Sequence, residues 1–132
     1  MELDKKNKIE KYHFEEIVYI LFILSSDLSM YEEDDLLNFA EDIEGTIEVL
    51  FKKDYLITLN KKFGFSPEMM SELEDLKFDV INLYESQWFI KLKEKTPQIE
   101  EIRFKALQIL KKMKIKSDDP LKFSDGHLNI DW

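Results

Sequence analysis

The longest apolar run lies near the start of the chain and predicts a buried helix. Eight consecutive apolar residues occupy positions 17–24. A helix that is apolar all round is typical of a central element surrounded by others, although the β-branched content leaves a buried strand as the alternative. Apolar residues at 14, 17, 21, 24 and 28 follow helical spacing, which favours the helix. We therefore predict a first helix over about 11–27, with residues 1–10 frayed.

The next apolar stripe predicts a second helix over about 30–53. Its start carries a Ser29-Met-Tyr-Glu32 sequence, the form of a capping box. Its apolar positions fall within an arc of about 120° on a helical wheel. They are Leu36, Phe39, Ala40, Ile43, Ile47, Leu50 and Phe51. Gly45 lies opposite, costs about 1 kcal/mol relative to alanine, and marks either a bend or a close contact.

Two serine or threonine residues followed by proline predict the starts of two further helices. Ser66-Pro67 opens a helix to about 93, and Thr96-Pro97 opens another to about 114. Segment 54–65 remains open between a short strand and a further helical turn. The helical period stops at 117, and four apolar residues beyond it are available to dock the tail. They are Phe123, Leu128, Ile130 and Trp132.

These elements predict a single domain over residues 1–132 whose fold is all-α, or mostly so. Only three glycines and three prolines argue against a turn-rich β fold, and 44% hydrophobic residues can support a core. The expected architecture is a compact bundle of four main helices with an irregular C-terminal tail, 115–132, docked on the body.

Charge is distributed very unevenly along the chain. Residues 12–51 contain eleven carboxylates and no lysine or arginine, whereas the rest has seventeen acidic and nineteen basic residues, so this stretch produces the net charge of −9. Such a field repels nucleic acid and anionic membrane surfaces and attracts basic proteins. The chain has only one arginine, Arg103, and this scarcity further disfavours nucleic-acid recognition, which relies on arginine side chains.

One side of the predicted second helix is a candidate surface for binding a basic protein partner. Asp34, Glu41, Glu44 and Glu48 fall between about 80° and 160° from Leu36, and Leu37 lies among them. An apolar anchor ringed by carboxylates is typical of a protein interface, and a plain solvated face is the alternative. The candidate partner-binding residues are Tyr31, Asp34, Leu37, Glu41, Asp42, Glu44 and Glu48.

No catalytic, cofactor or metal motif accompanies the acidic stretch. The chain has no cysteine and two histidines, its glycines are isolated, and it lacks a calcium-loop pattern. We predict no enzyme activity, no cofactor and no bound metal. The apolar run of eight residues is too short to span a membrane, so we predict a cytoplasmic protein.

Aromatic residues off the main stripes allow a different kind of contact. Phe78 and Phe89 form either a second buried face or a groove or dimer contact, and Phe104 with Leu107 raises the same question. A helical adaptor or regulatory homodimer that docks through this aromatic face is the alternative function.

A compact, acidic, helical chain with carboxylates on one helix resembles the bacterial toxin immunity proteins, of the contact-dependent inhibition or nuclease-colicin type. The resemblance covers size and composition and includes no specific motif. The tyrosine pair typical of the colicin group is absent, because Tyr31 and Tyr55 stand apart. The resemblance implies an inhibitor, monomeric or homodimeric, that neutralises a basic toxin or nuclease by protein–protein contact.

Overall fold

The computed structural model of the protein describes residues 2–116 and 119–120. Within these residues the chain forms helices and no strand, which confirms the all-α prediction. The elements are α1 (Glu2–Ser25), α2 (Glu33–Leu50), α3 (Lys53–Phe63), α4 (Pro67–Ile81), a 3-10 helix (Trp88–Lys93) and α5 (Pro97–Lys112). The four longest correspond to the four predicted main helices, and α3 and the 3-10 helix are additional.

Helix α1 lies at the centre of the fold. All eight residues of its apolar run are at most 5% exposed, because α5, α2 and α3 pack around it. The buried helix predicted for 17–24 is therefore confirmed. The helix begins at Glu2 rather than near Lys11 as predicted, since no glycine or proline interrupts this polar segment.

Side-chain contacts show that α1 runs antiparallel to α2, and α4 antiparallel to α5. Tyr19 of α1 contacts Asp42 of α2, while the earlier Glu16 contacts the later Thr46. In the same way Lys105 of α5 pairs with Asp79 of α4, and Lys112 pairs with Glu68. Helix α4 thus reaches the core mainly by packing on α5.

The predicted capping box at Ser29 is wrong. Helix α2 begins at Glu33, and its N-cap residue, Glu32, makes no side-chain cap hydrogen bond. The Ser29 amide instead donates to the Asp27 carboxylate at 3.0 Å, which forms a side-chain turn that competes with helix initiation. The acidic residues in the first turn of α2 are favoured by the helix dipole.

Two further boundaries differ from the sequence prediction. Segment 54–65, left open between strand and helix, falls largely in α3, with Leu56 and Leu59 buried. The single helix predicted from 67 to 93 is split, because the chain turns after α4 and Gln87 takes a left-handed backbone conformation (φ 59°). The split turns Trp88 into the core.

The start of α5 is as predicted, and the structure describes two residues of the tail. The Thr96 hydroxyl accepts the Ile99 amide at the N-terminus of α5. Pro120 is buried and Asp119 is half-buried, so this part of the tail lies against the body. The docking predicted for Phe123, Leu128, Ile130 and Trp132 lies outside the described residues.

Candidate protein-interaction surface

Two of the candidate acids fix the edges of α2. The Tyr19 hydroxyl of α1 donates to Asp42 Oδ2 at 2.7 Å on one edge. On the other edge, the Trp88 indole donates from Nε1 to Glu44 Oε1 at 2.6 Å. Both aromatic side chains are buried, so each carboxylate satisfies a donor that has left water. Asp42 and Glu44 therefore have a structural role, as hydrogen-bond acceptors for α1 and the 3-10 helix, that the sequence did not reveal.

The acids between these two edges remain turned towards solvent. We call Asp34, Leu37, Glu41 and Glu48 the acidic flank; all four are exposed, and Leu37 is 42% exposed. They lie on successive turns of one side of α2 and extend over about 21 Å at 1.5 Å per residue. The flank is thus a narrow anionic strip with one apolar side chain within it.

The acidic flank receives no countercharge from the described part of the molecule. Among the side chains that the structure describes, no lysine or arginine pairs with a carboxylate of α2, and Glu41 and Glu48 make no side-chain hydrogen bond. The ion pairs of the described residues lie elsewhere, notably between α4 and α5. Like charges three and four residues apart in α2 repel each other.

Tyr31 is placed differently from the other candidate residues. Its hydroxyl donates to Asp119 Oδ1 at 2.6 Å, and its ring packs edge-on against Phe39 at 5.4 Å. Burial and the Asp119 carboxylate raise the pKa of Tyr31 well above its usual range. Tyr31 therefore links the α1–α2 loop to the tail, which leaves only part of its ring for a partner.

A tyrosine that the sequence did not suggest lies beneath the same edge of α2. Tyr84 stacks at a tilt on Trp88 at 4.9 Å, and its buried hydroxyl has no hydrogen-bond partner among the described residues. Burial raises the pKa of Tyr84 to about 12, with further contributions from the carboxylates of Glu44 and Glu48. No local sequence pattern could indicate that Tyr84 lies near Glu44 and Glu48, because Tyr84 follows α4 and is far from α2 in the chain.

The histidine at the edge of the core is a structural link. His13 Nδ1 is hydrogen-bonded to the Tyr55 hydroxyl, which joins α1 to α3, and burial lowers the pKa of His13. Within the described part of the chain, no group of three or more acidic and histidine side chains is arranged to hold a metal ion. Over the same residues, no helix combines the length and apolar character needed to cross a bilayer.

The aromatic residues of the alternative hypothesis are divided between surface and core. Phe78 is 54% and Phe104 is 62% exposed, whereas Phe89 is partly buried against the core. The second buried face considered for Phe78 is therefore wrong, and Lys77 Nζ lies 4.7 Å from the centre of its ring. Comparison of the chain with protein-family models, curated proteins and solved structures finds no match.

Proposed function

We propose that this protein is a small acidic inhibitor of the immunity type, which binds a basic toxin or nuclease through the acidic flank of α2. The observation that carries the proposal is the exposed row of Glu41 and Glu48 beside Leu37, on a helix held at both edges. A rigid helix presents its charges in a fixed geometry, so less conformational entropy is lost on binding.

In this proposal the flank acts in two stages. Its negative field first steers a basic surface towards α2, which accelerates encounter at low salt. Leu37 then enters an apolar depression on the partner, while Glu41 and Glu48 pair with lysine or arginine side chains at the rim. A nuclease cleft that attracts phosphate offers such a basic surface. The absence of cysteine is compatible with action in the cytoplasm.

The proposal is tested by charge reversal on the flank. We expect the immobilised chain to retain a basic protein from extracts of its own organism, the first candidate being the product of the gene immediately upstream. The double variant E41K/E48K should lose this protein. The matched control D75K/E94K changes the net charge equally at two exposed sites outside α2, and should retain it.

The captured protein must then be purified and shown to lose its activity on binding. Stoichiometric inhibition by the wild type and by D75K/E94K, but not by E41K/E48K, supports the proposal. Equal inhibition by both charge-reversed variants would show that binding depends on net charge or on another surface, and would overturn it.

A helical homodimer is the second candidate, favoured by the exposure of Phe78 and Phe104. Large aromatic side chains on a surface frequently mark protein interfaces. Sedimentation equilibrium of the wild type and of F78S/F104S tests this candidate. A dimer that the double variant abolishes supports it, and a wild type that stays monomeric at all concentrations excludes it.

A further inference from the structure

The glycine in the middle of α2 has no structural reason to be glycine. Gly45 is exposed and lies within continuous α-helix, without the positive φ found at Gly64. A Cβ added at position 45 would meet no heavy atom within 4 Å. The close contact considered from the sequence is therefore not found in the described fold, although an interior glycine disfavours the helix.

A cleft of about 250 Å³ opens beside Gly45, between α1 and α2. Tyr12 and Glu16 line it from α1, while Thr46 and Val49 line it from α2. Val49 is 59% exposed, so its side chain is accessible to an incoming group. The volume lies below the roughly 300–1,000 Å³ of pockets for drug-sized ligands, and suits a single long side chain.

The polar wall of the cleft is built around Glu16. The Thr46 hydroxyl donates to Glu16 Oε2 at 3.3 Å, and the Tyr12 hydroxyl also donates to this carboxylate. Burial and the charge of Glu16 raise the pKa of Tyr12. The donors fix the Glu16 side chain across the α1–α2 boundary.

Three carboxylates are neighbours of Gly45 on the surface of α2. Glu41, Asp42 and Glu48 lie four residues before, three before and three after Gly45, so they are its neighbours on the helix surface. Burial raises the pKa of Asp42; the bond from Tyr19 opposes this, and the Glu16 and Glu41 carboxylates raise it further. A positive charge at this position would be stabilised by several carboxylates at once.

We infer that the cleft at Gly45 binds one lysine or arginine side chain of the protein partner. The inference rests on the proposed function and adds a specific pocket to the acidic flank. The aliphatic stem of the incoming side chain lies along Val49 and the bare backbone of Gly45, and its cationic head is directed at Glu16. Glycine at position 45 allows this stem to approach the helix axis more closely than any other residue would.

The experiment uses small probes, so that it does not depend on the partner. The chain has three glycines, which makes the Gly45 amide readily assigned in a ¹⁵N–¹H correlation spectrum. N-acetyl-arginine amide and N-acetyl-lysine amide are titrated into the protein, with the neutral N-acetyl-glutamine amide as the control. We expect saturable shifts of the Gly45, Thr46 and Val49 amides with the two cationic probes only.

The variant Gly45→Ala gives the decisive comparison. It should raise the melting temperature by about 3–5 °C through helix propensity, yet weaken binding of the cationic probes at least about tenfold, followed at Thr46 and Val49. Ser71→Ala, at an exposed position in α4, should also raise the melting temperature but leave probe binding unchanged.

Unchanged probe affinity in Gly45→Ala, or no saturable shift in the wild type, would overturn the inference. Either result leaves the flank proposal standing if E41K/E48K still loses the partner. The flank proposal itself fails, in contrast, if D75K/E94K and E41K/E48K bind the partner equally well.

Discussion

Three glutamates of α2 should respond to neutralisation with opposite signs, although they share one side of the helix. Glu41 and Glu48 make no hydrogen bond or ion pair among the described side chains, so the double variant E41Q/E48Q loses no such bond. It removes the repulsion between Glu41 and Glu44 and between Glu44 and Glu48, at about 0.2–0.5 kcal/mol each. Glu48 also lies in the last turn of α2, where the helix dipole disfavours negative charge. We expect the free energy of unfolding to rise by about 1 kcal/mol.

The change Glu44→Ala should instead destabilise the fold. It removes the acceptor 2.6 Å from Trp88 Nε1 and leaves a buried indole N–H without a partner. An unsatisfied buried donor costs about 1–3 kcal/mol, which exceeds the relief of repulsion. Glu44→Gln keeps an acceptor oxygen and should lie between Glu44→Ala and the wild type.

Urea unfolding followed by circular dichroism and by tryptophan fluorescence measures both effects. The gain in E41Q/E48Q should shrink in 1 M NaCl, because repulsion between exposed charges is screened. The loss in Glu44→Ala should persist, since it comes from a buried donor. A destabilised E41Q/E48Q would refute the reasoning, because it would show that these carboxylates support the fold.

Three further predictions test other parts of the structure. Burial raises the pKa of Asp42, so the folded state binds the Asp42 proton more tightly than the unfolded state does. The stability that this proton contributes is therefore present at low pH and is lost as pH rises through the folded-state pKa. Asp42→Asn should therefore gain stability relative to the wild type between pH 3 and pH 7, measured by urea unfolding at each pH. The Ser29 amide lowers the pKa of Asp27 from 3.8 to about 2, so the stability that Asp27 contributes is present at neutral pH and is lost as pH falls from about 4 towards 2. A carboxyl ¹³C titration that gave an ordinary pKa for Asp27 would contradict the turn. Ser66→Ala removes the acceptor for the first-turn amide of α4 and should lower the free energy of unfolding by about 0.5–2 kcal/mol in thermal or urea unfolding.

The fold could be predicted where the signal is local or where burial is complete. The apolar run of α1 and the proline-marked starts of α4 and α5 were sufficient, because each depends on residues within one or two turns. The start of α2 and the break before Trp88 could not be predicted from such local signals. In both places the outcome depends on a competing turn, at Asp27 and at Gln87.

The candidate surface was predictable only in its outline. Helical periodicity correctly places Leu37, Glu41 and Glu48 on one exposed side of α2, since they belong to a single helix. Periodicity carries no information on contacts between distant segments. The bonds that occupy Asp42 and Glu44 come from residues 23 and 44 positions away, which explains why their structural roles were missed.

The most direct test of the central claim is the association rate of the purified partner with the wild type and with E41Q/E48Q, measured by stopped flow over a range of salt concentrations. If the acidic flank steers a basic surface, the wild-type rate should fall about 10- to 1,000-fold from low to high salt. The rate of E41Q/E48Q should start lower and vary much less. Equal rates and equal salt dependence for the two proteins would contradict the assignment of the flank as the binding surface.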